Sequence, residues 1–194
     1  MAETSVIASR LGSRRFIETR LGGSGGQGVI LMGVILAVAA ARDHRYVVQT
    51  QSYGPEARGG YSRADVIIAS EQIDYPQLQG ADLLVTLSDQ AAKHYIGGLR
   101  RTGVFLYDSD EVSPPAVLAE TYAVPLTRLA EELTGKSQSA NIVTLGAIVA
   151  LTELVTRPSL ERAVAEMVPK ASLDLNLRAM EAGLELKPEE WRVD

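Results

Sequence analysis

The 194-residue sequence contains no cysteine. Thiolates ligate iron–sulfur clusters and form disulfides, so this chain alone can neither hold such a cluster nor use a thiol nucleophile. Its two histidines, His44 and His94, have no second ligand at metal-binding spacing, and we predict no metal site. Basic segments are also absent and the formal net charge is −5, which disfavours nucleic acid and anionic membranes as partners.

Long hydrophobic runs are missing as well. The longest, residues 29–41, is too short to cross a bilayer and contains Gly33, so we interpret it as a buried helix. Residues 1–14 lack the hydrophobic core of a signal peptide and have only a faint resemblance to a transit peptide. We therefore predict a flexible N-terminal tail over 1–14, a single domain over 15–194 and a cytoplasmic protein.

Glycine, in contrast, is concentrated in one stretch. Residues 20–29 read R-L-G-G-S-G-G-Q-G-V, and Gly23, Gly25 and Gly28 have the G-x-G-x-x-G spacing. A predicted strand precedes the stretch and a predicted apolar helix follows it, which is the context of a phosphate-binding turn. Glycine lets the backbone turn sharply and bring N–H groups against an anion. The alternative is a tight turn that packs the helix on the sheet without any ligand.

The rest of the chain alternates strand and helix patterns. This alternation predicts an α/β fold, a Rossmann-like three-layer α/β/α arrangement with a mostly parallel sheet and a helical C-terminal part. Ser88 is expected to cap a short helix, Asn141 to cap a longer one, and Gly183 to end the last. Predicted strands cover 16–21, 46–51, 63–70, 83–87, 103–108 and 121–126, and predicted helices cover 29–42, 88–95, 142–155, 159–167 and 172–182.

A second loop follows the second predicted strand. Its sequence is S-Y-G-P-E-A-R-G-G over residues 52–60, and its position at a strand's carboxyl end puts it on the edge where α/β sheets meet ligands. We expect it to lie beside the glycine stretch, with Arg58 available to a phosphate or a carboxylate. A turn with solvated Glu56 and Arg58 is the alternative.

Three other features are weaker. Asp108, Asp110 and Glu111 cluster at a strand end, and we interpret them as solvated loop charges because nothing pairs with them. The G-K-S at 135–137 lacks the first glycine of a P-loop, because Ala130 stands there, so we reject an ATPase. Strand two carries Gln49 and Gln51 where dinucleotide-binding domains have an acid, which argues against NAD.

Taken together, four segments resemble the gamma subunit of the 2-oxoacid:ferredoxin oxidoreductases, over about residues 16–183. The paired G-x-G-G-Q-G and S-Y-G-P-E-x-R-G-G loops are specific to this family, and the second loop is most similar to its 2-oxoglutarate branch. The segments are G-S-G-G-Q-G at 23–28, Q-T-Q-S-Y-G-P-E-A-R-G-G at 49–60, D-L-L-V at 82–85 and N-I-V-T-L-G at 141–146.

The resemblance implies a role inside a larger enzyme. Such enzymes decarboxylate a 2-oxoacid on thiamine diphosphate, pass electrons through iron–sulfur clusters to ferredoxin and transfer the acyl group to coenzyme A. Thiamine diphosphate, magnesium and the clusters belong to companion subunits, so this chain is expected to carry no catalytic residue. In related single-chain enzymes the equivalent domain helps to hold coenzyme A.

On that basis we predict a coenzyme A site on the glycine stretch. The expected contacts are backbone N–H groups around the glycines and the side chains of Gln27 and Arg58, and the second loop is expected to face the thiamine-bearing subunit. Two alternatives are an independent NAD- or FAD-linked oxidoreductase and a purely structural interface subunit. The predicted cofactor-binding residues are Gly23, Gly25, Gly26, Gln27, Gly28 and Arg58, and the predicted partner-facing residues are Ser52, Tyr53, Gly54, Pro55, Glu56, Gly59 and Gly60.

Overall fold

A seven-stranded sheet organises the computed structural model, which describes residues 6–12, 14–53 and 60–193. The strands are β1 (Phe16–Ser24), β2 (Tyr46–Tyr53), β3 (Tyr61–Ala69), β4 (Ala81–Thr86), β5 (Leu99–Asp108), β6 (Glu120–Val124) and β7 (Arg192–Val193). The α-helices are α1 (Val6–Gly12), α2 (Val29–Arg42), α3 (Asp89–Tyr95), α4 (Leu126–Thr134), α5 (Ala140–Thr152), α6 (Arg157–Met167) and α7 (Leu173–Leu184).

The strand order is β2-β3-β1-β4-β5-β6-β7. Strands β1, β4, β5 and β6 pair in parallel, and β2 has the same direction because it is antiparallel to β3, which is itself antiparallel to β1. Only β3 and β7 among the described strands oppose them. The predicted three-layer α/β fold with a mostly parallel sheet is therefore confirmed.

Two apolar cores cover the two faces of the sheet, since successive strand residues point to opposite sides. On β4, Leu83 and Val85 join the larger core with α2 and α5, whereas Leu84 joins the smaller core with α3. All three side chains are completely buried. Burial on both faces explains why the strand predicted over residues 83–87 is a continuous apolar run.

The position of β3 departs from the pattern of a dinucleotide-binding domain. There the second strand lies directly beside the first. Here β3 is inserted antiparallel between β1 and β2, so β2 lies two strand spacings, about 10 Å, from the strand that leads into the glycine turn. Strands β2 and β3 follow each other in the chain and pair antiparallel, so no crossover separates them.

The elements near both ends of the chain differ in part from the predicted helices and strands. Within the range predicted as a tail, residues 6–12 form α1, whose Ile7 and Leu11 lie one helical turn apart and are buried. Gly183 lies inside α7 rather than ending it, because α5 and α7 cross closely there and a Cβ on Gly183 would collide with the Val143 carbonyl. Helix α4 and strand β7 were not predicted, so the segment near 121 is not the last strand.

The predicted α2 matches the structure at both ends. No helix in the described ranges is long and apolar enough to span a membrane.

Candidate functional site

The glycine stretch forms a tight strand-to-helix connection at the carboxyl end of β1. Strand β1 continues through Gly22 and Gly23 to Ser24, and α2 begins at Val29. Gly26 has φ 94° and Gly28, the N-cap of α2, has φ 71°. Both are left-handed conformations that side-chain-bearing residues rarely adopt, so the sequence needs glycine at these two positions for the turn itself.

Gln27 ties this turn to the neighbouring strand. Its Oε1 accepts a hydrogen bond from the Ser24 N–H at 2.6 Å, and its Nε2 donates to the Leu87 carbonyl at 2.7 Å. Leu87 follows β4, so the side chain bridges the ends of two adjacent parallel strands. The amide oxygen and one amide hydrogen of Gln27 are thus committed within the chain, which gives the residue a positioning role.

Gly60, the last residue of the second loop, reaches the turn. The Gly25 N–H donates to the Gly60 carbonyl at 3.2 Å, and Ser24 of β1 is opposite Tyr61 of β3. Ser52 is partly buried within β2, and Tyr53 ends that strand. The remaining predicted loop residues lie outside the described residues: Gly54, Pro55, Glu56, Arg58 and Gly59.

Backbone donors at the start of α2 are the groups best suited to an anion. The N–H groups of Val29, Ile30 and Leu31 are in the first turn, where the helix supplies no acceptor, and the N-cap Gly28 contributes no side-chain cap. The positive end of the helix dipole adds to them. A Cβ on Gly26 would meet no atom within 4 Å and one on Gly25 only the Gly60 carbonyl at 3.8 Å, so the described chain leaves this turn uncovered.

Asn141 is the residue at this site that the sequence analysis assigned wrongly. It lies within the first turn of α5 rather than at the cap, which is Ser139. Its buried side chain approaches the Gly28 carbonyl, with 3.5 Å between Nδ2 and O, and a Cβ on Gly28 would collide with it. Asn141 thus packs against the start of α2, a role that its position before an apolar helix did not reveal.

Asp108, at the end of β5, was also misinterpreted. It is completely buried, and its Oδ2 accepts from the Thr127 N–H at 2.9 Å and the Thr127 hydroxyl at 2.5 Å. Burial raises the pKa of Asp108, and the hydrogen bonds from Thr127 and Asp110 oppose that rise. Asp108 therefore caps the start of α4. Asp110 and Glu111 are exposed as predicted, but Asp110 pairs with Arg128 at 3.8 Å. Ser88 caps α3 as expected, since it accepts from the Ala91 N–H at 3.4 Å.

An aromatic and arginine cluster lies beside the turn on the α3 face. Tyr61 and His94 stack with ring centroids 4.2 Å apart, and Tyr95 meets both edge-on. The Arg20 guanidinium lies over Tyr95 and donates two hydrogen bonds to Asp65 at 2.8 and 2.9 Å, which raise the pKa of Arg20. His94 therefore stacks on Tyr61, although it is exposed. The residues of this cluster come from β1, β3 and α3, so no local sequence motif indicates it.

A buried ionic network lies at the amino ends of the parallel strands, at the other end of the strands from the glycine turn. Asp82, 1% exposed, accepts from Arg14 at 2.6 Å and from Arg100 at 2.9 Å, and Arg100 also pairs with Glu18. The network joins the amino ends of β1, β4 and β5 and borders a cavity of about 560 Å³. Both carboxylates are satisfied by partners within the chain, so the network holds strand ends together.

Residues 18–186 match the family model described as pyruvate ferredoxin/flavodoxin oxidoreductase. The chain belongs to this family. The predicted resemblance to its gamma subunits is confirmed, and the chain is a subunit of an oxidoreductase of the 2-oxoacid:ferredoxin type. A likeness to the 2-oxoglutarate synthase subunit KorC of Methanocaldococcus jannaschii reaches 47% identity, covering 89% of this chain and 94% of that protein.

Solved structures of oxidoreductase subunits have the same fold. The keto/oxoacid ferredoxin oxidoreductase gamma subunit of Geobacter sulfurreducens superimposes with a TM-score of 0.78 at 43% identity, covering 87% of this chain and 96% of that one. The 2-oxoglutarate:ferredoxin oxidoreductase of Magnetococcus marinus gives a TM-score of 0.82 at 23% identity, over 91% of this chain but 32% of that chain. In that enzyme the shared fold is one part of a polypeptide about three times as long.

Proposed function

We propose that this gamma-type subunit supports coenzyme A binding in an enzyme that oxidatively decarboxylates 2-oxoglutarate to its acyl-CoA. The substrate assignment rests on the similarity to proteins named 2-oxoglutarate synthase subunit KorC. In this proposal the iron–sulfur clusters belong to companion subunits, since this chain has no thiolate to ligate a cluster. We assign thiamine diphosphate and its magnesium ion to companion subunits as well. Electrons leave through those subunits to ferredoxin.

The observation that carries the proposal is the uncapped start of α2 behind the glycine turn. Coenzyme A carries a pyrophosphate and a further phosphate, and helix-start amides with a positive dipole suit such groups. Gly26, Gly28 and the first turn of α2 supply the donors in this proposal, and Gly23 and Gly25 let the backbone come close. Gln27 holds the turn in shape through its contacts to Ser24 and Leu87.

The loop of residues 52–60 completes the proposed site. We assign Arg58 to a phosphate of coenzyme A and the loop to closure against the thiamine-bearing subunit, because Gly60 is hydrogen-bonded to the glycine turn. The independent NAD- or FAD-linked alternative loses support, since β3 separates the acid-free end of β2 from β1.

Substitution Gly25→Val in the assembled enzyme tests the coenzyme A assignment. The position tolerates a Cβ, and the added side chain would occupy the space in front of the turn. A phosphate contact to helix-start amides contributes about 1–2 kcal/mol, so we expect the Kd for coenzyme A to rise roughly 5- to 30-fold. Isothermal titration of the complex measures this Kd, and the KM for the 2-oxoacid should change little.

The matched control is Gly97→Val, where a Cβ meets no atom within 4 Å and which lies beyond α3, away from the turn. It should leave the Kd for coenzyme A unchanged. If Gly25→Val also leaves that Kd unchanged in an intact complex, the chain is a structural interface subunit and the coenzyme A assignment is wrong.

A further inference from the structure

Helices α2 and α3 leave neighbouring strands of the sheet in opposite directions. Strands β1 and β4 are adjacent and parallel, yet α2 leads from β1 to β2 over the larger core, whereas α3 leads from β4 towards β5 over the smaller core. In open α/β sheets the crevice at such a divergence is the place where ligands bind. The glycine turn lies on one side of this position, and α3 lies on the other.

Aromatic residues on the α3 side reach the end of β1. Tyr61, at the start of β3, directly follows Gly60, whose carbonyl accepts the hydrogen bond from the Gly25 N–H. A Cβ on Gly22 would come within 2.8 Å of the Tyr95 ring, so α3 touches β1 two residues before that strand ends. These rings therefore lie next to the glycine turn.

His94 presents one face of its ring outwards. The imidazole stacks on Tyr61 with ring centroids 4.2 Å apart and an interplanar angle of 28°, and Tyr95 meets it edge-on. His94 is nevertheless exposed, and no ring contact among the described residues covers its other face. Tyr61 and Tyr95 thus hold the imidazole in place before any ligand arrives, which lowers the entropic cost of binding. Such rings stack with nucleobases, because every base has a π-face.

The charge beside these rings also favours a nucleotide. Arg20 and Arg63 both lie over the Tyr95 ring and both pair with Asp65, so two guanidinium groups face one carboxylate. The Arg63 side chain is 34% exposed, whereas that of Arg20 is 16% exposed. The surplus positive charge is therefore accessible at Arg63, although the net charge of the chain is −5. It attracts the phosphate groups that a nucleotide carries.

We infer that the outer face of His94, backed by Tyr61, stacks with the adenine base of coenzyme A. This inference rests on the proposed function, in which the amides at the start of α2 hold the phosphates. Coenzyme A has its base on one side of the pyrophosphate and its pantetheine arm on the other, so the base reaches the α3 side while the arm extends away from it. His94 thereby distinguishes coenzyme A from carriers that share the pantetheine phosphate but lack the nucleotide.

Substitution His94→Ala in the assembled enzyme tests the stacking. From the usual strength of base–aromatic stacking, we expect the Kd for coenzyme A to rise at least about fivefold. The Kd for phosphopantetheine, which has a phosphate but no adenine, should stay within about twofold of wild type, since no stacking is lost. Isothermal titration measures both values. The variant His94→Phe, which keeps a flat ring, should bind coenzyme A within about twofold of wild type.

The matched control is Lys93→Ala, the exposed neighbour of His94 on α3, whose ammonium pairs with Asp89. It should leave the Kd for each ligand nearly unchanged. An unchanged Kd for coenzyme A in His94→Ala would overturn the inference. Equal weakening of both ligands would also overturn it, because His94 would then only hold α3 in place.

A failure of the proposed function is seen separately, in the Gly25→Val complex. If Gly25→Val leaves the Kd for coenzyme A unchanged, the site on the glycine turn is wrong. If Gly25→Val weakens coenzyme A and His94→Ala does not, the site on the turn stands and only the adenine assignment is wrong.

Discussion

At the scale of single residues, the glycines of the turn have different roles. Gly26 and Gly28 supply positive φ angles, whereas Gly25 does not, and a Cβ there would meet only the Gly60 carbonyl, at 3.8 Å. Gly23 is required by packing, since a Cβ there would come within 2.7 Å of Val29 and 2.8 Å of the Gln27 Oε1. A glycine motif therefore combines two requirements, a positive φ at some positions and close packing at others. Only the tertiary structure shows which requirement applies to which glycine.

Gly28→Ala should destabilise the fold. A left-handed φ of 71° costs a non-glycine residue about 1–3 kcal/mol, and the new Cβ would also displace the Asn141 side chain. We expect the free energy of unfolding, measured by urea denaturation of the isolated chain, to fall by at least about 1 kcal/mol.

Gly25→Ala is the control, because its Cβ meets only an ordinary contact. It should change the free energy of unfolding by less than about 0.5 kcal/mol. Equal losses of unfolding free energy in Gly25→Ala and Gly28→Ala would contradict the roles assigned to the positive φ of Gly28 and to its contact with Asn141.

At the scale of secondary-structure elements, Asp43 joins the end of α2 to the start of α6. Its carboxylate accepts from the Thr156 N–H at 2.6 Å, the Thr156 hydroxyl at 2.7 Å and the Ser159 hydroxyl at 2.5 Å. Partial burial by itself would raise the pKa of Asp43, but these hydrogen bonds outweigh burial and hold the pKa below its usual value. The ionised form is therefore the one that stabilises the junction.

Asp43→Asn should lower stability at neutral pH and change its pH dependence. A carboxylate whose folded pKa is depressed contributes stability above the unfolded pKa of about 3.9, and that contribution is lost as the pH falls through the lower folded value. The difference in free energy of unfolding between wild type and variant should therefore shrink on acidification from pH 6 to below roughly pH 4. Urea denaturation at a series of pH values measures it.

The exposed Asp74 provides the comparison, because its carboxylate takes no part in the junction that Asp43 forms with Thr156 and Ser159. Asp74→Asn should run parallel to wild type over the same pH range. A constant difference between wild type and Asp43→Asn at all pH values would contradict the assigned role of the ionised carboxylate.

At the scale of the whole molecule, the two edges of the parallel strands serve different purposes. The carboxyl edge carries the glycine turn, the Gln27 bridge and the Asp108 cap, whereas the amino edge is held by the network of Asp82, Arg14 and Arg100. Helix α1 adds a cover over α5, with Leu11 completely buried. The candidate site at the carboxyl ends of the strands is therefore built mainly from backbone groups, whereas the amino ends are held together by ion pairs.

Deletion of residues 1–12 should destabilise the domain. Each large apolar side chain that is fully buried contributes about 1.5–3 kcal/mol, and the deletion removes the buried Ile7 and Leu11. After allowance for the entropy of ordering α1, we expect the free energy of unfolding to fall by about 2–4 kcal/mol. Thermal and urea denaturation of the isolated domain measure the change.

The full-length double variant Ile7→Ala, Leu11→Ala should reproduce most of this loss. If the protein lacking residues 1–12 unfolds like wild type, residues 6–12 behave as the tail that the sequence predicts. Their packing would then contribute nothing to the free energy of unfolding.

Local patterns were sufficient where a single element carries the signal. The apolar run of α2, the Ser88 cap and the continuous apolar run of β4 all depend on neighbours a few residues apart, and each was predicted correctly. The errors lie where distant segments meet. Gly183 is indistinguishable from a helix stop until α5 is seen against α7, and Asp108 from a loop charge until Thr127 is seen beside it.

The sequence by itself determined the α/β class, because apolar periodicity is set by short-range burial, and its two loop motifs indicated the family through their resemblance to it. Only the tertiary structure decided that β3 enters between β1 and β2, that Asn141 and Gln27 brace the glycine turn, and that His94 stacks on Tyr61. These features depend on contacts between residues far apart in the chain. Such contacts are fixed by the packing of the whole sheet and not by any local pattern.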